Sequence, residues 1–429
     1  MIHSISSRIK LITSNVDDVL LLKNFIYMGI LQGTNYLLPL ITVPYIARII
    51  SPDHFGLVSY SQALITYSTI LIHYGFDYTS TREIATKKNN TQYISTVFSN
   101  TIYTKFLIFL ICIVVFIPLV LFVPKFSENS EIYLVTFLIN IGAVLVPNWL
   151  FQGMEKLKYL AYFNLFIKAI FTLLIFVLVK NDGDYLLIPL SSAIGQIVVG
   201  IICFWWSIKY FNLNPLLPKI IDVIKLVKEG FPIFASSIAV NIYTTTNLIV
   251  LGFLATDQVV GIYSASSKLI LVFVSGIMMP VGLALFPYIG KKLHESRESG
   301  MVALRAAIII VGSVTFVLSI LIYTFSDLIV HLVYGQEYIA ASNSLKVLSF
   351  LPFIIGLNNI LGTQGVLNLK MDKEFLAVTS IGAVCSILLN YTLIPLFAEI
   401  GTATAWVVTE VIITITFYII LYKKGLRLI

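Results

Sequence analysis

Twelve long apolar runs, separated by short polar clusters, follow one another along the chain. They cover residues 25–46, 57–77, 102–123, 132–153, 159–179, 186–208, 231–254, 262–286, 303–325, 347–368, 376–396 and 402–422. A helix needs about 20 apolar residues to cross the hydrocarbon of a bilayer. These runs lack the strict alternation of apolar and polar residues that marks the strands of a membrane barrel. The pattern predicts an all-α integral membrane protein with about 12 transmembrane helices.

Composition excludes a soluble globular protein. Of the 429 residues, 58% are hydrophobic and 11% are charged, and the mean hydropathy is +0.94. A soluble domain carries about 25% charged residues because it needs a wet surface. The few charges are also unevenly spread, since they collect in clusters such as residues 87–90 and 291–295.

The distribution of Lys and Arg predicts the orientation. If the N-terminus is cytoplasmic, 22 of the 28 basic residues, Lys105 among them, fall in inner loops and tails. The outer loops then hold Arg48, Lys125, Lys180 and Lys346, while Lys168 and Lys268 lie inside helices. Because short cytoplasmic loops are enriched in basic residues, both termini are predicted to be cytoplasmic. The net charge of +7 reflects this asymmetry and an attraction to membrane lipids, so no nucleic-acid partner is expected.

The sequence offers no catalytic, metal or cofactor site. No loop exceeds about twenty residues, no phosphate-binding loop is present, and the histidines and three cysteines are scattered. We therefore expect a protein that is not an enzyme and does not hydrolyse ATP. Residues 1–22 carry no cleavable signal peptide. Their apolar residues recur at helical spacing, which favours an amphipathic helix on the cytoplasmic face, with disorder as the alternative.

The chain resembles itself at a distance of about 205 residues. Residues 49–61 and 253–265 share the order Asp, Gly, Tyr, Ser with a slip of one residue. Chance similarity between apolar segments is the alternative. A parallel repeat predicts two pseudo-symmetric six-helix bundles around a central cavity, an architecture suited to alternating access. The predicted lobes are residues 23–208 and 230–429, joined by a cytoplasmic linker over 209–229.

Five stretches resemble a known family. They are YLLPLITVPYIAR (36–48) running on to Phe55-Gly56, GFDYTSTREIA (75–85), PNWLFQGMEK (147–156), VYGQEY (333–338), and NYTLIP (390–395) followed by GTATA (401–405). In this order they resemble the Wzx-type flippases of O-antigen and polysaccharide repeat units, relatives of the multidrug exporters and the lipid II flippase. The sequence departs from that family at Ser51, where many members have glycine.

The resemblance implies a function. The substrate would be an undecaprenyl-diphosphate-linked oligosaccharide, moved from the inner to the outer leaflet of the bacterial cytoplasmic membrane without ATP. The polymerase and chain-length regulator of the same pathway would be partners. The alternatives are a multidrug cation exporter or lipid II flippase of the same superfamily and, from another class, a membrane-embedded polysaccharide polymerase or glycosyltransferase. Enzymes of that last class usually carry a large outer loop, which this chain lacks.

Charges inside apolar helices are costly and therefore mark candidate functional residues. Lys168, deep in its helix, is the first candidate for a diphosphate contact, and an ion pair with a residue such as Glu410 is the alternative. Lys268 and Arg48 are further candidates, against snorkelling and interfacial anchoring. Candidate contacts to sugar hydroxyls are the amides Gln32, Asn35, Asn241 and Asn359, for which interhelical hydrogen bonds are the alternative.

Three charged residues are candidates for gating or ion coupling. Asp77 and Arg82 follow the second apolar run, and Glu410 lies inside the last. Glu410 or Asp77 would carry a proton if transport is coupled to proton antiport. A helix-end salt bridge is the alternative for Asp77 and Arg82. The membrane potential alone is worth about 2.3 kcal/mol per charge per 100 mV, and it drives an anion outward.

Overall fold

A computed structural model describes Tyr27, residues 33–34 and residues 38–426. Within these residues the chain is helical and contains no strand. Nine helical segments of this described part are long and apolar enough to cross a membrane, and Leu38–Ala47 and Thr244–Leu254 are shorter apolar helices. The predicted all-α membrane protein is confirmed, whereas the layout of 12 helices in two bundles stays a prediction. The N-terminal segment 1–22 lies outside the described residues.

The chain divides into two compact units. Unit 1 consists of Met1–Thr42, Ser68–Leu178 and Leu187–Phe234, and unit 2 of Val43–Tyr67, Val179–Leu186 and Ala235–Ile429. The unit boundaries cut three helices, which cover Leu38–Ala47, Pro52–His73 and Ile220–Leu254. The predicted linker 209–229 is thus helical from Ile220, while the predicted lobes stay predictions.

The helices that build unit 1 run from the last part of α2, which begins at Ser68, to the first part of α11, which ends at Phe234. Their bounds are α2 Pro52–His73, α3 Phe76–Thr86, α4 Thr91–Phe122, α5 Pro124–Ser127, α6 Ser130–Phe137, α7 Ile139–Leu145, α8 Asn148–Gly153, α9 Leu157–Leu178, α10 Leu187–Tyr210 and α11 Ile220–Leu254; α1, Leu38–Ala47, precedes them.

Unit 2 contains the rest of α2 and α11 and all later helices. These are α12 Asp257–Glu295, α13 Arg297–Thr324, α14 Ser326–Tyr334, α15 Ala341–Leu348, α16 Leu351–Asn358 and α17 Asp372–Lys423, with a π-helix over Asn359–Leu367 and 3₁₀ turns over Asp182–Leu186 and Gln336–Tyr338. Ala398 interrupts α17 with φ 49° and ψ −124°. The predicted runs 376–396 and 402–422 therefore lie on either side of this break.

Helix α4 begins eleven residues before the predicted run 102–123. Its first turns are rich in hydroxyl residues, and these bond back to the helix itself. Ser95, Ser99, Thr101 and Thr104 each donate to the carbonyl four residues earlier, at 2.6–2.8 Å. A hydroxyl satisfied in this way can face a protein interior at little cost. The hydropathy pattern missed this part of the helix because its polar residues are buried.

Small residues bring the helices of unit 1 close together. A Cβ added to Gly142 on α7 would lie 2.6 Å from Gln196 Cβ on α10, and one on Gly195 would lie 2.9 Å from the Ile167 carbonyl oxygen on α9. Without a hydrophobic driving force between helices in lipid, such close van der Waals contact holds helices together. Helices α7, α9 and α10 are thus fixed around the face that carries Lys168 and Gln196.

In unit 2, two glycines of the repeated segment pack against each other. A Cβ on Gly56 of α2 would overlap the Asp257 carbonyl oxygen, and one on Gly261 of α12 would overlap the Pro52 carbonyl oxygen. Each glycine therefore meets the carbonyl one turn before the other glycine. The contact is reciprocal, as a local two-fold axis between the two copies requires.

Two side-chain hydrogen bonds near this crossing are also related by an offset of 205 residues. Ser61 Oγ donates to the Val58 carbonyl at 2.9 Å, and Ser266 Oγ donates to the Tyr263 carbonyl at 2.9 Å. Both members of the second pair lie 205 residues after those of the first. The structure thus pairs Gly56 with Gly261, which are 205 residues apart. In the sequence comparison the Asp pair is 204 residues apart and the Tyr and Ser pairs are 203 residues apart.

Tyrosines of the VYGQEY stretch hold the ends of the crossing helices. Tyr338 donates to the Ile50 carbonyl at 3.0 Å, and Tyr334 donates to the Ala265 carbonyl at 2.9 Å. Both rings pack around Phe55. This motif therefore ties α14 and the following turn to the glycine crossing, which explains its part in the resemblance without a role in substrate binding.

The crossing predicts that Gly261→Ala destabilises the protein. The new methyl group forces the backbones of α2 and α12 apart, and overpacking of this kind costs about 1–3 kcal/mol or more. The thermal unfolding midpoint of the purified protein should fall by several degrees. Gly276→Ala on the same helix is the control, because a Cβ there meets no atom within 4 Å. Equal midpoints for the two variants would contradict the prediction.

Candidate functional site

Unit 1 contains a partly open cavity of about 200 Å³ whose wall is part polar and part apolar. The polar side chains on its wall come from α2, α8, α9 and α10 and are Thr69, His73, Asn148, Asn164, Lys168 and Gln196. The volume is below the 300–1,000 Å³ typical of sites for whole drug-sized ligands. The cavity therefore suits a compact polar group, such as a headgroup, and not an entire oligosaccharide.

Lys168 contributes the positive charge on this wall. It lies eleven residues after the start of α9, or about 17 Å along a helix that rises 1.5 Å per residue. The predicted depth was nine residues, because the apolar run starts later than the helix. Lys168 is half-buried, and within the described part of unit 1 it forms no salt bridge. Its ammonium group is thus available to an anionic ligand.

Amide groups near Lys168 have hydrogen-bonding capacity to spare. Asn164 Oδ1 and Asn140 Nδ2 are buried and have no hydrogen-bond partner among the described residues. Asn140 Oδ1 accepts from Thr69 Oγ1 at 2.8 Å, which fixes the amide. Since buried polar groups are normally satisfied, unpaired atoms beside a cavity are groups that a ligand can satisfy.

A cluster of three charged or titratable residues lies next to this cavity. His73 Nδ1, on the cavity wall, lies 3.0 Å from Asp77 Oδ2 on α3. Lys105 on α4 interacts electrostatically with the same carboxylate. Lys105 is fully buried, and neither its Nζ nor Asp77 Oδ1 has a hydrogen-bond partner in the described part of the chain.

The cluster shows that the predicted place of Lys105 among the inner loops is wrong, and it adds His73 and Lys105 to the gating candidate Asp77. Lys105 was counted among the basic residues of the inner loops, but it lies fourteen residues into α4 and inside the protein. Its burial follows from the early start of α4. Asp77 was a candidate for gating, and the structure adds His73 and Lys105 as its neighbours. His73 and Asp77 are four residues apart in the sequence, but Tyr74 and Gly75 with positive φ separate α2 from α3 between them. The spacing rule of a continuous helix therefore could not have identified the pair.

The remaining gating candidate of α3 is in a different environment. Arg82 is exposed, while Asp77, Tyr78, Gln152 and Leu157 line a second cavity of about 510 Å³. Asp77 thus faces both His73 and this second cavity. The structure does not bring Arg82 and Asp77 together as a salt bridge.

Lys268 belongs to unit 2 and is held by its neighbours. Its Nζ donates to Ser59 Oγ at 2.9 Å and lies 4.3 Å from the centre of the Phe55 ring. It lies eleven residues into α12, because this helix starts at Asp257 and not at the predicted 262. A cation over an aromatic face is stabilised by the ring quadrupole. The geometry therefore gives Lys268 a structural contact beside the glycine crossing.

Three other predicted contact residues of unit 2 are engaged in local hydrogen bonds. Arg48 is exposed and donates to the Leu332 carbonyl. Asn241 donates to the Ser237 carbonyl at 2.9 Å. Asn359 Oδ1 accepts from Gln364 at 3.2 Å. Asn241 and Asn359 thus bond within their own helical segments and not between helices. The predicted contacts to substrate stay untested. Gln32 and Asn35 lie outside the described residues.

Glu410 is a buried carboxylate of unit 2. Only 4% of it is exposed, and its Oε2 accepts from Asn358 Nδ2 at 2.7 Å. Asn358 directly precedes the π-helix Asn359–Leu367, and such irregular turns are frequent at functional sites. Within the described part of unit 2, Glu410 forms no salt bridge. Glu410 thus stays a candidate for ion coupling.

Solved structures of membrane transporters share this fold. The chain matches a multidrug resistance MATE family transporter of the MOP superfamily, in an inward-facing conformation, with a TM-score of 0.74, 12% identity and coverage of 94% of this chain and 99% of that one. It matches the lipid II flippase MurJ, in an inward closed conformation, with a TM-score of 0.72, 15% identity and coverage of 94% and 87%. The fold is that of multi-pass membrane transporters of this superfamily.

The family follows from the sequence comparisons. A family model described as "Polysaccharide biosynthesis protein" matches residues 21–293, and the chain belongs to that family. Relatives named "Putative O-antigen transporter" in Escherichia coli strain K12 and Shigella dysenteriae are each 28% identical to it, over 93% and 92% of this chain and 96% and 98% of theirs. The predicted family resemblance is confirmed.

The buried cluster predicts an asymmetric response to charge removal. Asp77→Asn leaves the buried Lys105 without its acid, and breaking a buried charge pair from one side costs about 3–5 kcal/mol. Adding Lys105→Met to this variant removes the isolated charge and should restore most of the thermal midpoint. Lys105→Met alone should cost less, because Asp77 keeps His73. A double variant as unstable as Asp77→Asn would contradict the pairing.

Proposed function

We propose that this protein is a flippase for an undecaprenyl-diphosphate-linked oligosaccharide, moving the repeat unit of an O-antigen or related polysaccharide across the bacterial cytoplasmic membrane. The names of its relatives and its membership of the polysaccharide biosynthesis family support the substrate class. The observation that carries the proposal is Lys168, a cation without an anionic partner in the described part of its unit, on the wall of a polar cavity inside apolar helices.

The cavity chemistry suits the diphosphate of such a substrate. A diphosphate that leaves water needs cationic and hydrogen-bonding partners, because the cost of a bare charge in a medium of low dielectric is several kcal/mol or more. Lys168 supplies the charge, and Asn164, Asn148, Gln196 and Thr69 supply neutral donors and acceptors. The glycan would lie outside the 200 Å³ space. A single ammonium group also allows release, since it holds the ligand as a point charge.

Export by alternating access then needs no ATP. An anion that leaves a negative cytoplasm gains about 2.3 kcal/mol per charge for each 100 mV. The basic residues at the ends of the helices support an orientation with both termini cytoplasmic. Asp77, Arg82 and Glu410 remain the candidates for gating or ion coupling in this scheme.

The test of the site is Lys168→Ala in a bacterial strain that lacks its own transporter of this type and receives this gene. Surface polysaccharide should fall at least tenfold at matched protein level, because the diphosphate loses its cation. Lys168→Arg should retain part of the export. The control is Lys158→Ala, an exposed lysine on the same helix that does not line the cavity. Undiminished export by Lys168→Ala would remove Lys168 from the mechanism.

Glu410 provides the test of ion coupling. If it carries the coupling proton, flipping of a labelled lipid-linked oligosaccharide in proteoliposomes should slow when the pH gradient is collapsed, and Glu410→Gln should be insensitive to that collapse. The double variant Asp77→Asn/Lys105→Met is compared in the same assay. It shows whether Asp77 or Glu410 carries the coupling proton. Flipping by the unmodified protein that ignores the pH gradient would exclude proton antiport. Export of cationic dyes in place of the lipid-linked substrate would instead identify a multidrug exporter.

A further inference from the structure

A strip of apolar side chains at the start of α11 is exposed although it lies outside the nine candidate spans. The strip consists of Leu216, Leu217, Ile220, Ile221 and Ile224, with exposed fractions from 49% to 90%. By their spacing, positions 220, 221 and 224 lie on one face of α11, whereas Leu216 and Leu217 lie in the non-helical segment before it. Val223 and Leu226 of the same helix are buried. The apolar side chains of this stretch thus divide into a set that packs on protein and a set that is exposed.

The strip is fixed to the body of unit 1 by backbone hydrogen bonds. The Asn214 amide donates to Ser95 Oγ at 3.1 Å, and the Leu216 amide donates to Ser99 Oγ at 2.9 Å. Both serines belong to α4. Pro218 lies two residues before Ile220, the first residue of α11. These two hydrogen bonds to α4 therefore fix the backbone of the strip, so that its apolar side chains stay exposed.

Three lysines add positive charge beside the strip. Lys219, Lys225 and Lys228 are exposed. Asp222, Glu229 and Glu83 line a small cavity of about 170 Å³ between α11, α3 and α4, and Lys225 lines it as well. Lys225 lies 3.9 Å from the exposed Glu229, and 72% of the lysine side chain is exposed. The exposed charged residues between 216 and 229 are thus three lysines and one acid.

The same end of unit 1 collects further lysines and aromatic rings. Lys87 lies 4.2 Å from the centre of the Tyr93 ring, and Lys88 pairs with Glu155 at 2.6 Å. Tyr93 lines the same small cavity as Asp222, which places these lysines beside the strip. At the end of α10, Trp206 stacks on Tyr210. Rings and lysines together at helix ends are typical of the level of the lipid headgroups.

We propose that this strip and its three lysines form a binding surface for anionic phospholipid, with the apolar side chains among the acyl chains and the ammonium groups on the phosphates. A segment that combines apolar residues with lysines binds the interface through buried area and electrostatic attraction. Each lysine near an anionic surface strengthens binding about fivefold. Because α11 continues from unit 1 into unit 2, the lipid would hold the end of a helix that both units share.

The test uses the full-length protein in nanodiscs of phosphatidylglycerol or of phosphatidylcholine. Hydrogen exchange of peptides covering residues 214–231 should be slower in phosphatidylglycerol, and 0.5 M salt should remove the difference because it screens exposed charges. The variant Lys219→Gln/Lys225→Gln/Lys228→Gln should lose the preference, with about a hundredfold weaker selectivity if the three lysines act independently. Equal exchange of the unmodified protein in the two lipids would overturn the proposal.

Two further variants and a soluble competitor show whether the strip and its contact with lipid cause the preference. Lys125→Gln/Lys180→Gln removes charges away from the strip and should leave the preference intact; loss of the preference in this variant would overturn the assignment to the strip. Leu217→Ser/Ile221→Ser should speed exchange in both lipids, since it removes the acyl contacts. If millimolar glycerol phosphate abolishes the effect in phosphatidylglycerol, the lysines bind free phosphate compounds and the membrane proposal fails. None of these outcomes depends on the transported substrate.

Discussion

Exclusion of water from the hydrocarbon layer is the constraint on which this structure depends. A backbone that cannot bond to water must bond to itself, which leaves helices as the form of this chain. The same rule applies to side chains. The hydroxyls of α4 turn back to their own helix, and Lys268 reaches Ser59 and the Phe55 ring. Polar groups whose hydrogen bonds are made within the protein contribute to the fold. Polar groups without such partners are candidates for binding a ligand.

Unit 1 contains several buried or half-buried polar groups whose hydrogen-bonding capacity is not fully used within the described part of the protein. Lys168, Lys105 and the Asn164 amide carry charge or hydrogen-bonding capacity that no described neighbour in that unit uses fully. In unit 2 the charged and amide candidates are mostly satisfied, with Glu410 held by Asn358. The chemistry available for an anion is therefore concentrated on α2, α9 and α10. In the proposed function Glu410 of unit 2 is a candidate to carry a coupling proton, and Lys168 of unit 1 is the candidate for the diphosphate contact.

Much of the architecture could be predicted from apolar runs and charge asymmetry, because hydrocarbon imposes both on any membrane protein. The repeat around Gly56 and Gly261 was also visible. Helix starts were less accurate: α4 and α12 begin before their apolar runs, since polar residues can face protein as well as water. The early start of α4 moves Lys105 from the inner end of its predicted run, where it was counted with the inner loops, into the helix interior. The partners of Lys268 lie about 200 residues away in the chain, and no local pattern could reveal them.

The reciprocal contact of Gly56 and Gly261 also bears on the history of the chain. A helix that meets an equivalent helix across a two-fold axis needs the same small residue on both sides. If one gene encoded half of the protein, two copies of its product would each carry that residue. A half-length ancestor with one such glycine would already have had the surface to form a homodimer. Fusion of two copies would keep that surface and free each copy to diverge elsewhere. The lysine that now stands at 268 and the alanine at the corresponding position 63 illustrate such divergence.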